Sequence, residues 1–265
     1  MALLEENFIK FLGTAGARFV VARQLRSSGG TLISLNNKKI ILDPGPGTIV
    51  RCAKAKPPVD VTQVDAIILS HLHIDHSNDI NILIDAMTSG GIKKRGVLFA
   101  PADALNGDNQ VVLNYLRAYL DEIIVLKENT AYHLGDGVSF STSIKHRHPV
   151  ETYGIIFHLP GRKVSFMVDT KYFSELSTSY ANSDLLIMNV VFHQPIEHSS
   201  AMHLSLEDVK NVLTEIKPAK IIMTHFGTTM LKARPWELAQ KLSAEYKIEV
   251  IAATDGMKVD LNLSS

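Results

Sequence analysis

The segment His71-Leu72-His73-Ile74-Asp75-His76 contains three imidazoles and one carboxylate within six residues. It follows the short apolar run 66–69, which is typical of a buried strand. Imidazole and carboxylate groups are preferred ligands of zinc and neighbouring transition metals. His71 and His73 alternate onto one side of an extended chain, whereas Asp75 and His76 fall in the following turn. Two pairs of ligands can then face two adjacent metal ions, and we favour this interpretation over four unrelated polar residues in a loop.

Short apolar runs bounded by turn residues predict strands along the whole chain. These runs cover 8–12, 31–35, 39–42, 66–69, 97–100, 123–126, 138–144, 154–159, 163–168, 185–189, 221–224, 248–252 and 257–261. Apolar residues at helical spacing predict helices over 79–87, 110–120, 205–216 and 235–246. Ser205-x-x-Asp208 has the pattern of a capping box, and Pro235 suits a first helical turn. Since no linker or repeat divides the chain, we expect one α/β domain over 1–265, with helices on the outer faces of its sheets.

Composition narrows the classes of function. The chain has 265 residues, of which 46% are apolar and 20% charged, as in ordinary globular proteins. Lys plus Arg and Asp plus Glu number 27 each, a balance that argues against a strongly basic nucleic-acid binder. The single cysteine, Cys52, excludes an intramolecular disulfide, and we expect it to pack in the core rather than to act as a nucleophile. The acidic start Met1–Glu6 and the short apolar runs predict a cytoplasmic protein with no signal peptide and no membrane span.

The histidine motif resembles the signature of the metallo-β-lactamase superfamily, and five further segments resemble its ribonuclease Z-like, phosphodiesterase branch in the right order. These segments are Phe11-Leu12-Gly13-Thr14, Leu42-Asp43-Pro44-Gly45-Pro46-Gly47-Thr48, His148-Pro149-x-Glu151-x-Tyr153-Gly154, Ser165-Phe166-Met167-Val168-Asp169-Thr170 and Ala219-Lys220-Ile221-Ile222-Met223-Thr224-His225-Phe226-Gly227. The resemblance implies a four-layer αββα sandwich, in which two mixed β-sheets are flanked by helices.

The resemblance also implies a set of metal ligands and catalytic residues. One metal would be bound by His71, His73 and His148, a second by Asp75, His76 and His225, and Asp169 would bridge the two. His146 stays open as an alternative to His148, because it is two residues away on the same strand face. Asp169 could instead cap a turn, and His225 could be a structural histidine at the end of a strand. Asp75 and His203 are the expected catalytic residues, and Asp43 is expected to support the site without binding metal.

The expected cofactors are two divalent metal ions, with zinc first and manganese, iron or nickel as alternatives that the same ligands accept. Too few residues separate His148 from Asp169 for the tRNA-grasping arm that ribonuclease Z carries there, and Asn189 stands where that branch often has Glu. We therefore expect a metal-dependent hydrolase of a small, nucleotide-like phosphodiester, without tRNA as substrate. The alternatives are a thioester or lactone hydrolase of glyoxalase II type, or a non-catalytic metabolite-binding accessory protein. The resemblance also points to a homodimer.

Overall fold

Alternating buried side chains along the strands build two β-sheets that pack face to face. The computed structural model describes residues 6–196 and 201–262. Residues 1–5, on which the expectation of no signal peptide depends, lie outside these ranges. Within them, none of the helices combines the length and the apolar character that crossing a bilayer requires.

The first sheet is antiparallel at one end and parallel at the other. It contains β1 (Phe8–Phe11), β2 (Thr31–Leu35), β3 (Lys38–Leu42), β4 (Ala66–Ile68), β5 (Val97–Ala100), β6 (Glu122–Val125) and β15 (Lys258–Asp260). Their order across the sheet is β15-β1-β2-β3-β4-β5-β6. Pairing is antiparallel from β15 to β3 and parallel from β3 to β6.

The second sheet repeats this mixed pattern. It contains β7 (Ala131–Gly135), β8 (Val138–Lys145), β9 (Tyr153–Leu159), β10 (Arg162–Met167), β11 (Leu185–Phe192), β12 (Leu204–Ser205), β13 (Lys220–Thr224) and β14 (Glu249–Ala252). The order is β14-β13-β11-β10-β9-β8-β7, with β12 paired to β11. Pairing is antiparallel from β7 to β10 and parallel from β10 to β14.

Helices lie on the outer faces of both sheets and at the edge where the sheets meet. They are α1 (Ala17–Ala22), α2 (Thr48–Lys54), α3 (Ile74–Ser77), α4 (Ile80–Met87), α5 (Ala102–Leu105), α6 (Asn114–Arg117), α7 (Leu176–Tyr180), α8 (Leu206–Glu215), α9 (Thr228–Lys232) and α10 (Pro235–Tyr246). As predicted, α8 begins with a capping box between Ser205 and Asp208, and α10 begins with Pro235.

Three apolar clusters separate the layers. The first lies between the sheets and includes Phe11, Phe157 and Ile187. The second lies between the second sheet and helices α7, α8 and α10, and the third between the first sheet and helices α2, α4 and α6. The order helix, sheet, sheet, helix is the predicted four-layer αββα sandwich, so the expected fold class is confirmed.

The predicted helix over 110–120 is largely wrong, because only the four residues of α6 are helical there. The Arg117 guanidinium donates hydrogen bonds to the carbonyls of Leu105 and Val112, of which the Val112 carbonyl would have been paired inside the predicted helix. The apolar residues of this segment still reach the core from an irregular backbone. The sequence pattern also missed β7 and the short helices α1 and α2.

The fold brings the carboxyl ends of parallel strands from both sheets to one edge. In the first sheet β3 ends before Asp43, and β4 leads through Ser70 into the histidine motif. In the second sheet β10 and β13 end just before Asp169 and His225. An isolated bridge pairs Ala15 with Phe226 and so joins the two sheets at this edge. Side chains that are far apart in sequence therefore meet there.

The reactivity of Cys52 tests the packing of the apolar cluster between the first sheet and its helices. The residue is fully buried, and burial raises the pKa of its thiol to about 11. Since only the thiolate is a good nucleophile, we expect the native protein to resist a thiol-reactive reagent. After unfolding in guanidinium, the same reagent should label one thiol per chain. Rapid labelling without denaturant would contradict this packing.

Candidate metal centre

Buried ring nitrogens without a hydrogen-bond partner mark the candidate site. Among the described residues, the buried side-chain atoms in this state include Nε2 of His71, His76 and His225, and Nδ1 of His203. A buried polar atom normally has a partner, because leaving it unpaired costs about 1–3 kcal/mol. The Nε2 atoms of His71, His76 and His225 lie in one cluster, and in the tautomer that carries its proton on Nδ1 each has a free lone pair, which fits metal ligation.

One group of possible ligands consists of His71, His73 and His148. Their ligand atoms all lie within 4.8 Å of one another. His148 Nε2 lies 2.9 Å from His73 Nδ1, and the ring of His71 makes edge contacts with both other rings. The opposite nitrogen of His148 is within 3.0 Å of the Met202 carbonyl, which fixes the ring. The three imidazoles thus converge on one point.

A second group consists of Asp75, His76 and His225, which also meet within 4.8 Å. Asp75 Oδ2 lies 3.8 Å from His76 Nε2 and 3.6 Å from His225 Nε2. His76 and His225 approach from different sheets, and their ring centroids are 4.7 Å apart. This arrangement is open enough to admit a cation between the three groups.

Asp169 lies between the two groups and is almost completely buried. Its Oδ2 is 3.7 Å from His71 Nε2 and 3.4 Å from His76 Nε2, while Oδ1 is 3.5 Å from His225 Nε2. Asn189 donates a hydrogen bond to Oδ1 at 2.8 Å and so fixes the plane of the carboxylate. A carboxylate in contact with both groups has the position that a bridging ligand requires.

His146 is turned away from the cluster. Its Nδ1 is 3.1 Å from the Asp169 carbonyl oxygen, and its Nε2 is 2.8 Å from the Tyr180 hydroxyl. Both ring nitrogens are therefore used in hydrogen bonds. Burial lowers the pKa of this imidazole to about 4, so it stays neutral at ordinary pH. The geometry favours His148 over His146 as the third histidine of the first group.

His203 faces the same carboxylate from the rim of the site. Its Nδ1 is 3.4 Å from Asp169 Oδ2, and its ring lies 5.3 Å from that of His148. The side chain is 16% exposed, against 4% for His76. This position, between the buried ligands and solvent, is suited to contact with a bound substrate.

Asp43 and Ser70 orient the imidazole rings of His71 and His76 by contacts to their Nδ1 atoms, on the side away from the cluster. Asp43 Oδ2 lies 2.9 Å from His76 Nδ1 and accepts a hydrogen bond from the Ser70 hydroxyl, which is also 3.0 Å from His71 Nδ1. The Ser70 backbone N–H donates to Asp43 Oδ1 at 2.7 Å. These contacts leave the Nε2 atoms of both histidines pointing to the cluster. Although Asp43, His71 and His76 also have ligand atoms within 4.8 Å of one another, Asp43 is used in holding the other two.

Charges in the site favour bound cations. Burial lowers the pKa of His71 well below its ordinary value, and burial likewise lowers that of His148 to about 4. Burial opposes protonation of His76 as well, yet the carboxylates of Asp169, Asp75 and Asp43 outweigh it and raise the pKa of His76 well above its usual range. A positive charge is therefore favoured among these carboxylates. Neutral imidazoles beside ionised carboxylates are the state that metal binding requires.

Glycines allow the backbones to meet closely at the site. A Cβ atom on Gly45 would lie 2.1 Å from the Asp75 carbonyl oxygen, and one on Gly16 would lie 2.0 Å from that of His225. Asp43 and His225 themselves have positive φ values of 53° and 59°, a conformation that costs non-glycine residues energy. The site is thus held in its geometry by the surrounding structure rather than by local preference.

The sequence analysis did not identify several residues that support the site. Asp255 accepts hydrogen bonds from the backbone N–H groups of Thr14 and Ser27, at 3.0 and 2.7 Å, and so fixes the loop beside the site. Nothing in the pattern around Asp255 indicates this role. Ser70 could have been found, since it directly precedes the histidine motif. Tyr180 could not, because its contact with His146 depends on the tertiary fold.

A family model for a β-lactamase superfamily domain matches residues 38–226, the range that contains every predicted metal ligand. The chain belongs to this superfamily. An uncharacterised protein of Methanocaldococcus jannaschii is 32% identical over 260 residues, which cover 96% of this chain and 94% of that protein. Ribonuclease Z of Borrelia garinii subsp. bavariensis is 22% identical over 314 residues, with 96% and 97% covered.

Solved structures show the same fold at low sequence identity. The metallo-β-lactamase fold protein YhfI of Bacillus subtilis superposes with a TM-score of 0.78 at 19% identity, covering 96% of this chain and 99% of that one. A diphosphatase of the PhnP family gives a TM-score of 0.70 at 16% identity, with 97% of each chain covered. The resemblance inferred from the motifs is confirmed. The protein is a metallo-β-lactamase fold hydrolase with ribonuclease Z relatives, and the fold implies divalent metal ions.

Substitution of Asp43 tests the support of the histidines. In Asp43→Asn one oxygen replaces two, so the carboxamide cannot accept both from the Ser70 backbone N–H and from the Ser70 hydroxyl and His76, and we expect metal affinity to fall by about 10- to 100-fold. Competition with a chromogenic chelator measures that affinity. Asp136→Asn, at a side chain that is 68% exposed, is the matched control. Equal metal affinity in the two variants would remove Asp43 from the site.

Proposed function

We propose that the protein is a dinuclear metal-dependent phosphodiesterase that acts on a small, nucleotide-like phosphodiester. The observation that carries this proposal is the position of Asp169 between two groups of histidines, beside the unpartnered Nε2 atoms of His71, His76 and His225. The proposed ligands are His71, His73 and His148 for one ion, Asp75, His76 and His225 for the other, and Asp169 for both.

The residues present fit two divalent cations. Three carboxylates, from Asp43, Asp75 and Asp169, lie among imidazoles that burial keeps mostly neutral, so cations compensate an excess of negative charge. We propose zinc, because histidine nitrogen and carboxylate oxygen are its ordinary ligands. The homodimer is proposed on the resemblance alone.

In the proposed hydrolysis, the metal ions and the side chains of the chain have different roles. When bound, two such ions lower the pKa of a shared water to about 7 and stabilise charge on the attacked group. The chain holds the rings through Ser70, Asp43 and Met202. Asp75, whose side chain is 19% exposed, holds the proton of the attacking water at the carboxylate oxygen that does not face His76 and His225. His203, whose Nδ1 lies 3.4 Å from Asp169 Oδ2, contacts the scissile phosphate and gives a proton to the leaving oxygen.

The hairpin after His148 favours a small substrate over tRNA. Strands β9 and β10 are joined by Pro160 and Gly161 alone, and Leu159 pairs directly with Arg162. A projecting arm of the kind expected in ribonuclease Z has no place in so tight a turn. The aligned ribonuclease Z also spans 314 positions against the 265 residues of this chain, so tens of its positions have no counterpart here. With zero net charge, the chain lacks the overall positive field that attracts long nucleic acids.

Turnover of a chromogenic phosphodiester, bis(4-nitrophenyl) phosphate, tests the substrate class. We expect cleavage by protein loaded with zinc or manganese, and loss of cleavage by at least 100-fold in His73→Ala, because a ligand of the first ion is removed. His133→Ala, at an exposed histidine of β7, is the matched control and should retain full activity.

A precursor tRNA, a glutathione thioester and an acyl lactone are assayed in parallel. Faster cleavage of the tRNA would make the protein a ribonuclease, and turnover of only the acyl substrates would place it with glyoxalase II-type hydrolases. Stoichiometric binding of a metabolite by fully metallated protein, without turnover, would favour the accessory-protein alternative. Each of these results contradicts the proposed substrate class but leaves the metal centre in place.

Removal of the bridging carboxylate tests the dinuclear arrangement. In Asp169→Ala the second ion loses a ligand, so we expect about one metal per chain instead of two and a rate lower by orders of magnitude. Metal content is measured by elemental analysis after gel filtration, and circular dichroism controls for folding. Normal metal content and rate in this variant would refute the assignment of Asp169.

A further inference from the structure

A cavity of about 200 Å³ lies where the end of α2 packs near β1, and four cationic side chains line it. They are Lys10, Arg51, Lys54 and Lys56. No acidic side chain lines the cavity, and among the described residues none of the four takes part in an ion pair. We refer to this group as the basic cavity. It shares no lining residue with the cavity beside the metal centre.

Lys10 makes the basic cavity unusual. Ile9 and Phe11 face the core between the sheets, so alternation along β1 turns Lys10 to the outer face. There the residue is only 8% exposed, and its ammonium donates a hydrogen bond to the Lys56 carbonyl at 3.1 Å. That bond satisfies one of three N–H groups and leaves the charge without an anionic partner. A largely buried ammonium is costly unless an anion accompanies it.

Arg51 adds a second oriented donor. Its Nε donates to the Leu12 carbonyl at 2.8 Å, which fixes the plane of the guanidinium. Within the described part of the chain, the terminal nitrogens Nη1 and Nη2 of Arg51 form no hydrogen bond. A fixed guanidinium fork matches the oxygen spacing of a phosphate and can bind it through two parallel hydrogen bonds.

Stabilisation of α2 does not account for the whole group. Arg51 and Lys54 lie in the last turn of this helix, where cations complement the negative end of its dipole. That end carries the equivalent of about half a charge, however, and four full positive charges surround the cavity. Lys54 and Lys56 are exposed to water, but the charge of Lys10, on β1 and only 8% exposed, is not accounted for by this helix end.

We propose that the basic cavity is a binding site for the phosphate group of a small phosphorylated molecule. A second cavity, of about 180 Å³, shares Lys10 and Lys56 with it. Its lining combines apolar side chains, among them Phe8, Leu32 and Pro57, with Lys39 and with the ion pair of Glu6 and Lys258. A phosphate in the first cavity places the organic part of the ligand toward the second. This site is separate from the metal centre and does not depend on the function proposed for it.

Calorimetry with inorganic phosphate, on metal-loaded protein at constant ionic strength, tests the proposal. Phosphate can also bind at the metals, so His73→Ala identifies that component. We expect a component that persists in His73→Ala and whose dissociation constant rises at least tenfold in the double variant Lys54→Gln/Lys56→Gln. Both lysines are exposed, and the Lys56 carbonyl that accepts from Lys10 is retained.

The control is Lys93→Gln/Lys94→Gln, which removes the same charge from an exposed pair elsewhere and should leave phosphate binding unchanged. Binding that disappears entirely in His73→Ala, or that is equal in the two double variants, would overturn the proposal. Phenyl phosphate distinguishes the source of the phosphate group. Tighter binding than inorganic phosphate indicates a phosphorylated organic ligand, and equal binding indicates the free ion.

Thermal unfolding gives a second measurement at Lys10. Phosphate should raise the melting temperature of the wild-type protein, because a ligand that binds only the folded state stabilises it. In Lys10→Met the same phosphate concentration should produce a clearly smaller rise. An equal rise in both proteins would show that Lys10 takes no part in anion binding.

Discussion

Burial of the Asp169 carboxylate among imidazoles is the constraint on which the site depends. The side chain is 1% exposed, and ring nitrogens of four histidines lie within 3.4–3.7 Å of its oxygens. Burial would raise the pKa of this carboxyl, but His225, His203 and His76 hold it well below the ordinary value. The carboxylate and the imidazole rings keep this arrangement only if the side chains cannot rotate away from one another. The contacts behind the rings, from Asp43, Ser70 and Asn189, provide this restriction.

Burial of Asp169 among these imidazoles also requires that the two sheets meet at one edge. The histidine motif follows β4 of the first sheet, whereas Asp169 and His225 follow β10 and β13 of the second. The bridge between Ala15 and Phe226 joins these halves, and the Gly16 N–H donates to the Phe226 carbonyl at 3.0 Å. The apolar cluster between the sheets then holds them against each other. Because the side chains of the site come from both sheets, a shift between them would separate the ligands.

The sequence predicted the local features of the molecule better than the contacts between distant segments. The strands and the histidine motif were found because alternation and ligand spacing are properties of a few neighbouring residues. The helix over 110–120 was wrong over most of its length, where the Arg117 side chain donates to the Val112 carbonyl, a contact that the apolar pattern does not reveal. The choice between His146 and His148 stayed open because both share a strand face, and the Tyr180 hydroxyl that occupies His146 is 34 residues away in sequence.

A net charge of zero hides a strong segregation of charge. Carboxylates gather with imidazoles at the edge where the sheets meet, while Lys10, Arg51, Lys54 and Lys56 gather around a cavity without an acidic side chain. Screening at physiological salt limits each field to about 8 Å, so neither group can attract a long polyanion over the whole surface. The charge at each place is therefore local, with carboxylates and imidazoles at one and ammonium and guanidinium groups at the other. Two separate groups of opposite kind give no single field over the surface, and the two-residue turn between β9 and β10 adds no projecting segment that could extend either of them.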